Sequence, residues 1–361
     1  MIEPGSALEL ETSARGQGAT RLYAVIPAYC AANTIVSVVQ QALKYSECVI
    51  VVDDACPQHS GRVVRNAFME NPAVQVVDRK QNGGVGAAMK TGIGAAIEQG
   101  ADIIVKIDAD GQMDPSYIPT IRSLFVEDRS LICIKGNRFF DSSVLRLMPK
   151  IRLFGNSILS LLVKAASGYW NVIDPTNGYV AFNARLLDLL EWRSFADSYF
   201  FEISVLCELG LKHLPILELE MPTIYTSAPS SLSIRRVLVE FPPRLVSLMA
   251  RRLILQYFVF DINLGTLYSV VGSILLLFGL IFGGYEWIQS IVTHVGRATG
   301  TVMLAVLPFL MGFQLLLNAL MYDVQFSQRT RHEFLANIRR RSMPDTTKLL
   351  QPRGYQTSNR D

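Results

Sequence analysis

The sequence predicts an α/β protein with a doubly wound and mostly parallel sheet, followed by interfacial helices and two C-terminal transmembrane helices. Short apolar runs alternate with helix-like stretches between residues 22 and 134. This alternation is typical of parallel sheets with right-handed crossovers. Two uncharged apolar runs follow, at about 262–285 and 301–322 of the 361-residue chain. Each is long enough to cross about 30 Å of hydrocarbon.

Five apolar runs predict strands that are buried on both faces, because none of them alternates with polar residues. The runs are LYAVI (22–26), CVIVV (48–52), VQVV (74–77), IIVKI (103–107) and LICI (131–134). Helical patterns lie near 33–45, 60–69, 84–99 and 115–126. Ligands of such sheets bind beyond the carboxyl ends of the strands, so the polar residues after each run are the candidates for a site.

The composition excludes several classes of protein. Half of the residues are hydrophobic and 18% are charged, against about 25% charged in an average soluble protein, so disordered and collagen-like chains are excluded. A net charge of +3 is too small to indicate a dedicated nucleic-acid binder. Five cysteines without CxxC spacing indicate neither a disulfide framework nor a zinc site, and fit a reducing compartment.

Arginines flank the two apolar runs, whereas the connector 286–300 contains only Arg297. The positive-inside rule therefore predicts that both termini are cytoplasmic and that the protein is a multi-pass protein of the inner (cytoplasmic) membrane. The transmembrane helices could also assemble a homo-oligomer. The expected parts are a flexible N-terminus (1–20), a cytoplasmic catalytic domain (21–230), interfacial amphipathic helices (231–256), two transmembrane helices (257–325) and a basic cytoplasmic tail (326–361).

Two charged amphipathic segments remain outside the predicted spans. Residues 142–167 carry too many charges to cross a bilayer, so they either lie against the membrane and cover the site or form an ordinary surface helix. Residues 231–256 mix arginines with apolar side chains and are interrupted by Pro242-Pro243. They predict one or two interfacial helices.

Asp108-x-Asp110 follows the fourth apolar run. Two carboxylates two residues apart can reach one divalent cation, and Gln112 adds a third oxygen. Mg²⁺ or Mn²⁺ prefers such ligands together with substrate phosphate. The alternative is a turn of solvated acids.

A second acidic pair, Asp53-Asp54, ends the second run. A carboxylate here can bind a ribose hydroxyl or a base N–H, or it can cap the next helix. Residues 82–94 are Gly-rich and nearly match a phosphate loop, but Met89 stands where the second glycine belongs. They predict a loop and a helix packed tightly on the sheet, which could still help to bind a diphosphate through Asn82, Gly83 or Lys90.

Arg138 follows the fifth run and suits a phosphate clamp or a salt bridge. Asp174 begins a turn by composition and either points into the site or only starts the turn. The four histidines are scattered and no GxSxG occurs, so nucleophilic hydrolase chemistry is unsupported.

Taken together, these motifs resemble glycosyltransferase family 2, in its polyprenyl-phosphate branch. The resemblance covers roughly residues 21–325. Within that branch, the chain is similar to dolichol-phosphate mannosyltransferases and bactoprenol glucosyltransferases. The motifs are PAYxxxN (27–33), VVDD (51–54), NGGVGAA (82–88), DADGQ (108–112), GNRF (136–139) and DPTNGY (174–179).

The resemblance implies a GT-A-like fold and a nucleotide-diphosphate sugar donor, with UDP favoured slightly over GDP. It also implies a Mg²⁺ or Mn²⁺ ion and a polyprenyl-phosphate acceptor in the bilayer. It implies metal binding by Asp108, Asp110 and Gln112, and catalytic roles for Arg138 and Asp174. Arg138, Arg235 and Arg236 are the candidates for the acceptor phosphate. The implied donor-nucleotide residues are Pro27, Ala28, Tyr29, Asp53, Asp54, Asn82, Gly83, Lys90, Asp108, Ala109 and Asp110.

The sequence departs from the family pattern in three places. Cys30-Ala31-Ala32 replaces the usual Asn-Glu-Glu, which removes one expected donor contact. The later Arg-x-x-Gly-x-Ser segment is reduced to Ser231-Leu-Ser-Ile-Arg235-Arg236. The Gln-x-x-Arg-Trp signature of processive members is absent, which favours transfer of a single sugar.

These features predict a metal-dependent, inverting transfer of one sugar to polyprenyl phosphate at the cytoplasmic membrane face. Two alternatives remain. One is a family 2 enzyme acting on another lipid acceptor, such as diacylglycerol or ceramide. The other is a non-catalytic membrane partner with a decayed transferase domain.

Overall fold

The computed structural model describes residues 20–139, 150–221, 234–260 and 262–342. Side chains are described in these ranges except at 150–154, 234–239 and 326–342.

The N-terminal half alternates strands and helices as the sequence predicts. Its strands are β1 (Leu22–Ala28), β2 (Cys48–Asp53), β3 (Val74–Asp78), β4 (Ile103–Lys106) and β5 (Cys133–Asn137). Its helices are α1 (Ile35–Leu43), α2 (Ser60–Ala67), α3 (Val85–Glu98) and α4 (Ile118–Glu127). A 3₁₀ turn, Pro115–Tyr117, precedes α4.

The second half is mainly helical. It contains α5 (Lys150–Ser167), β6 (Val180–Asn183), α6 (Phe201–Leu211), β7 (Ile216–Glu220) and α7 (Ile234–Ile254). A π-helical turn (Leu255–Phe260), α8 (Leu264–Thr293) and α9 (Thr299–Ser342) complete the described chain.

The seven strands form one sheet in the order β3-β2-β1-β4-β6-β5-β7. All neighbouring pairs are parallel except the two that involve β6, which runs antiparallel to β4 and β5. The carboxyl ends of β1, β2, β4 and β5 therefore lie at the same edge. We call this edge, with the segments that follow these four strands, the rim.

Each face of the sheet carries its own apolar core. On one face Val51 packs with Ile35 and Val39 of α1, and on the other Val52 packs with Met89 of α3. Each fully buried side chain of this size contributes about 1.5–3 kcal/mol relative to an exposed one. This double burial explains why the central strands read as continuous apolar runs.

The Gly-rich stretch brings α3 close to the sheet, as predicted. A Cβ at Gly92 would lie 2.3 Å from Val25 Cγ1. One at Gly86 would lie 1.9 Å from the carbonyl oxygen of Ala196. A side chain at either position would force the helix outward.

Helices α5, α6 and α7 form a third apolar cluster beside the sheet. Val163 of α5 packs there with Phe200, Ile203 and Phe241. Thus α5 is a packed helix with one buried face, although Ile158 remains exposed.

Of the one or two helices predicted for 231–256, the structure has one, because α7 runs unbroken through both prolines of the Pro242-Pro243 pair. Proline removes an N–H donor from a helix interior but keeps a helical φ. Phe241 and Leu245 are buried on either side of the pair. Their packing against α5 and α6 holds the helix in one piece.

Helices α8 and α9 form an antiparallel hairpin. Leu264–Thr293 and Thr299–Gln325 are both long and apolar enough to cross a membrane, and many of their large apolar side chains are exposed. A Cβ at Gly312 would lie 2.4 Å from the backbone nitrogen of Leu276, so the helices pack backbone to backbone. These helices indicate membrane association. They are longer than predicted, and α9 continues into the expected tail as far as Ser342.

Candidate active site

A buried lysine organises the centre of the rim. Lys106, at the end of β4, is 1% exposed and its ammonium donates to Asp108 Oδ1. The same ammonium lies 3.1 Å from Glu202 Oε1 and 3.2 Å from the carbonyl oxygen of Gly178. Burial by itself would lower the pKa of Lys106, but Asp108 and Glu202 more than offset this and raise it above the ordinary value. Lys106 thus stays charged and holds Asp108 against the 174–179 loop.

The carboxylate of Asp110 keeps most of its hydrogen-bonding capacity. Its Oδ1 accepts from the backbone N–H of Gln112 at 2.9 Å. Burial raises the pKa of Asp110, and the nearby charge of Asp108 adds to this rise. A half-buried carboxylate beside another carboxylate is stabilised by an added cation.

The donor set at this point fits a hard divalent cation. Within the described parts of the chain, neither Asp108 Oδ2 nor Asp110 Oδ2 accepts a hydrogen bond from another residue. Over those same parts, no group of three or more His, Cys, Asp or Glu residues is arranged so that it could hold a metal ion by itself. Mg²⁺ usually takes one or two protein carboxylates and completes its shell with water and substrate phosphate, so two carboxylates with Gln112 nearby are a sufficient protein contribution.

Gly178 is the point where the loop approaches the two acids. A Cβ at this position would lie 2.9 Å from Asp108 Oδ2 and 3.0 Å from Lys106 Nζ. A side chain here would push the Asp108 carboxylate aside.

Asp174 and Arg138 form an ion pair on the opposite side of the same loop. Arg138 donates to Asp174 through Nε at 2.7 Å, through Nη2 at 3.1 Å and through its backbone N–H at 3.1 Å. Thr176 Oγ1 lies 3.3 Å from Asp174 Oδ1. Asp174 is fully buried, whereas the Arg138 side chain is 33% exposed. Each carboxylate oxygen therefore has two contacts, which leaves little capacity to take a proton from substrate.

A buried lysine and a half-buried glutamate support this loop. Lys135 of β5 donates to the carbonyl oxygen of Asn177. Glu218 of β7 accepts from the backbone N–H groups of Ile173 and Asp174, at 2.9 Å and 3.1 Å. Burial lowers the pKa of Lys135 and raises that of Glu218.

Asp53 and Asp54 both bind backbone. Asp53 accepts from the N–H groups of Cys56 at 2.7 Å and Gly61 at 2.6 Å, so it ties β2 to the first turn of α2. Asp54 accepts from Gly84 at 2.7 Å and from Arg79 at 2.5 Å. The capping alternative is thus present for Asp53, whereas Asp54 holds the segment before α3. The nucleoside contacts of both residues stay a prediction.

The remaining predicted donor residues lie along the same rim. Tyr29 follows Pro27 and Ala28 at the end of β1 and exposes 51% of its surface, so its ring is available to a planar ligand. The carbonyl of Ala109 accepts from Thr34 Oγ1 at 2.6 Å. Donor binding by these residues stays a prediction.

Asn82, Gly83 and Lys90 lie beside the rim, in the segment after β3 and in α3. Asn82 Oδ1 accepts from Gly84 N at 3.0 Å, and Gly83 N donates to Asp54. Lys90 bonds the carbonyl of Phe195 at 3.0 Å and Asp197 at 2.6 Å. Its charge is thus already shared with the 193–197 segment. Arg235 and Arg236 belong to the backbone of α7, but their side chains lie outside the described residues.

Sequence reasoning missed the support beneath the site, namely Lys106, Lys135, Glu202 and Glu218. Two of the four left a signal, because Lys106 interrupts an apolar run and Lys135 directly follows another. A lysine in a buried strand needs a partner. Neither glutamate had such a signal, since both reach the site from distant elements.

The helical hairpin is connected to the 169–174 segment through Asp323 of α9. Trp170 Nε1 donates to Asp323 Oδ2 at 2.7 Å, and Arg252 of α7 binds both oxygens at 2.8 and 2.9 Å. Tyr257 completes the set at 2.7 Å. Trp170 lies only four residues before Asp174, so the base of the hairpin is joined to the catalytic candidate by a short piece of chain.

Comparison with known proteins adds sequence relationships to this geometry. Residues 23–190 match the model described as glycosyl transferase family 2. A UDP-N-acetylglucosamine–dolichyl-phosphate N-acetylglucosaminyltransferase of Methanococcus voltae is 30% identical over 218 residues, which cover 57% of this chain and 86% of that protein. An undecaprenyl-phosphate mannosyltransferase of Micrococcus luteus is 29% identical over 177 residues, which cover 47% and 70%.

Among solved structures, glucosyl-3-phosphoglycerate synthase from Mycobacterium tuberculosis in complex with phosphoglyceric acid aligns with a TM-score of 0.48 and 19% identity. The alignment covers 70% of this chain and 85% of that one.

Proposed function

Because the chain belongs to glycosyl transferase family 2, we propose that it transfers one sugar from a nucleotide-diphosphate sugar to polyprenyl phosphate at the cytoplasmic face of a membrane. The observation that carries this proposal is a single arrangement. The Asp108 and Asp110 carboxylates have unused oxygens and lie against one side of the 174–179 loop, through Lys106 and Gly178. The Arg138–Asp174 pair is part of the same loop. The same segment of chain is joined to the base of two apolar helices through Trp170.

The state of Asp174 favours a phosphate acceptor over a neutral hydroxyl. A phosphate monoester has a second pKa of about 6, so it is already an ionised nucleophile near neutral pH. It needs orientation and relief of charge repulsion rather than a strong base. Asp174 is fully buried and occupied by Arg138. It therefore orients the guanidinium, whose exposed part meets phosphate.

The residues assigned to the divalent ion are Asp108, Asp110 and Gln112. When bound, Mg²⁺ or Mn²⁺ supplies Lewis-acid stabilisation of the leaving diphosphate. Lys106 keeps the Asp108 carboxylate in place for that role. In the transfer, a phosphate oxygen of the acceptor forms a bond to the anomeric carbon while the bond to the donor diphosphate breaks, so the anomeric configuration inverts.

The membrane topology is part of the proposal. Arg252 precedes the first apolar helix and Asp323 lies near the end of the second, and the two are in contact. This contact supports a hairpin whose two ends are on the same side. The excess of arginine outside the connector 286–300 supports the cytoplasmic side.

The test is sugar transfer by the full chain in detergent with undecaprenyl phosphate. Labelled UDP- and GDP-sugars are offered separately, with UDP-N-acetylglucosamine first because the Methanococcus voltae relative carries that donor in its name. Each donor is assayed with Mn²⁺ and with EDTA. We expect label in the organic phase for one donor, only with metal, and with an inverted anomeric linkage.

Transfer to diacylglycerol or ceramide but not to the lipid phosphate would overturn the acceptor assignment. Retention of anomeric configuration would overturn the direct displacement. No transfer from any donor to any lipid, with nucleotide binding intact, would favour a non-catalytic partner.

A further inference from the structure

Two cysteines meet where the segments after β1 and β2 touch. The backbone N–H of Cys30 donates to Cys56 Sγ at 3.0 Å, so the Cys56 sulfur touches the backbone of the other cysteine. Cys30 is exposed, whereas Cys56 is buried. The other three cysteines, Cys48, Cys133 and Cys207, are also buried. One thiol of this pair is thus open to solvent and the other lies directly behind it.

The surroundings of Cys56 are polar. Its sulfur lies 3.1 Å from Ser60 Oγ, and Ser60 Oγ in turn accepts from the N–H of Ala31 at 3.2 Å. Burial would raise the pKa of the Cys56 thiol, but hydrogen bonds from Ser60 and from the backbone of Cys30 and Gln58 lower it below the ordinary value. A buried structural cysteine in apolar surroundings has a raised pKa and is inert. Cys56 differs from that type.

We propose that Cys30 and Cys56 form a reversible oxidation site, in which a low-molecular-weight disulfide converts the two thiols to an intramolecular disulfide that weakens nucleotide binding. Desolvation and the neighbouring Cys56 raise the pKa of Cys30, so Cys30 reacts after losing its proton. Its exposed sulfur attacks the reagent disulfide, forms a mixed disulfide and releases one thiol, which takes up the proton. The Cys56 thiolate then attacks the Cys30 sulfur and expels the second thiol. Two protein thiols are oxidised and one reagent disulfide is reduced to two thiols, so the electrons balance.

The link would lie within the proposed nucleoside site, so its effect on binding rests on the proposed function. Tyr29 directly precedes Cys30, and Asp53 accepts from the N–H of Cys56 at 2.7 Å. The segments also share a backbone hydrogen bond from Asp54 to Ala28 at 3.1 Å. Cys30 and Ala55 both adopt the left-handed backbone conformation, with φ of 55° and 53°. Residues other than glycine seldom adopt it. A covalent bond here changes the spacing of these segments, and small misplacements of binding groups cost affinity.

The experiment treats the reduced, full-length protein in detergent with excess oxidised glutathione. It is then unfolded, alkylated and digested with trypsin without reduction. Cleavage after Arg21, Lys44 and Arg62 gives peptides 22–44, with Cys30, and 45–62, with Cys48 and Cys56. The Cys48→Ala variant serves as the background, because it leaves one cysteine in each peptide. We expect the two peptides to be joined, and to separate on addition of dithiothreitol.

Binding is measured on the same samples with UDP and with GDP, in the presence of Mn²⁺. We expect oxidation to weaken binding about tenfold, with recovery on reduction. Cys30→Ala in the same background should show no change between oxidant-treated and untreated samples.

Two results would overturn the proposal. In one, Cys30 becomes a mixed disulfide while Cys56 is still alkylated after unfolding. In the other, the joined peptide forms and nucleotide affinity is unchanged. If the reduced protein binds neither UDP nor GDP, the proposed function fails, and the joined peptide alone decides whether the oxidation site exists.

Discussion

Asp110 and Asp323 show how differently two sheltered carboxylates are used in one chain. Asp323, at the base of the helical hairpin, accepts hydrogen bonds from three residues at both oxygens, namely Arg252, Tyr257 and Trp170. Asp110, on the rim, receives from other residues only the backbone N–H of Gln112 within the described chain. An ionised carboxylate has about four acceptor positions, so Asp323 is filled by its own protein and Asp110 is not.

The difference separates structural charge from functional charge. A buried carboxylate with a full set of donors fixes neighbouring elements and has little capacity left for a ligand. One with unused oxygens beside a second carboxylate is costly until a cation or proton arrives. Asp174 belongs with Asp323 by this criterion, although it lies at the rim. This difference supports our proposal that Asp108 and Asp110 bind the metal and that Asp174 is a positioning residue.

The largest expected effect is that of Asp110→Asn. Loss of even an indirect metal-supporting partner costs about 10–100-fold, so loss of a ligand should lower transfer at least about a hundredfold, with the melting temperature unchanged. Initial rates of sugar transfer at saturating Mn²⁺ measure it. Asp114→Asn is the matched control, because Asp114 only caps the next turn through Ser116. An equal loss of transfer rate in both variants would show that Asp110 has no special role in metal binding.

The next effect concerns the Arg138–Asp174 pair. Removal of either partner of a hydrogen-bonded charge pair costs about 2–5 kcal/mol when the pair is desolvated, and the partial exposure of Arg138 places the loss at the low end. We expect Asp174→Asn, Arg138→Lys and the double variant to lose similar activity, since the two residues act as a unit. Activity retained by Arg138→Lys but abolished in Asp174→Asn would instead indicate that Asp174 is a general base.

A smaller effect is expected for Gly178→Ala. The added methyl group displaces the Asp108 carboxylate without removing any charge, so transfer should fall about tenfold and the Mn²⁺ concentration for half-maximal rate should rise. Gly155→Ala in α5 is the control, because a Cβ there meets nothing within 4 Å. If Gly178→Ala needs the same Mn²⁺ concentration for half-maximal rate as the wild type, Asp108 does not bind the metal.

The smallest effect on activity is expected for Asp323→Asn. Breaking a buried ion pair costs about 3–5 kcal/mol of unfolding free energy, so the variant should melt at a lower temperature in detergent. Activity per folded molecule should fall less than in Gly178→Ala. Thermal unfolding and an activity assay well below the melting temperature separate the two quantities. Loss of activity without loss of stability would show that Asp323 serves the reaction.

The first five strands and the site motifs were accessible from sequence because both depend on local pattern, whereas the order of the strands in the sheet and the last two strands were not. Continuous apolar runs mark strands buried on two faces, and acids at i and i+2 after such a run are visible without a structure. The unbroken path of α7 through Pro242 was not accessible, because it depends on packing of Phe241 against distant helices.

The partners of the acids were also beyond sequence reasoning. Asp54 binds Gly84, 30 residues away, and Asp323 binds Trp170 across 153 residues. Which carboxylates are filled, and which remain available, is therefore a property of the tertiary structure. That property separates the acids whose oxygens are filled by their own protein from those with oxygens left for a ligand.

The most direct measurement is electron paramagnetic resonance of Mn²⁺ added to wild type, Asp110→Asn and Asp323→Asn, each with and without UDP or GDP. The account predicts that nucleoside diphosphate increases bound Mn²⁺ in wild type and in Asp323→Asn at a temperature where that variant is folded. It predicts no such increase in Asp110→Asn. Nucleotide-dependent Mn²⁺ binding that persists in Asp110→Asn would contradict the assignment of the metal site to the rim carboxylates.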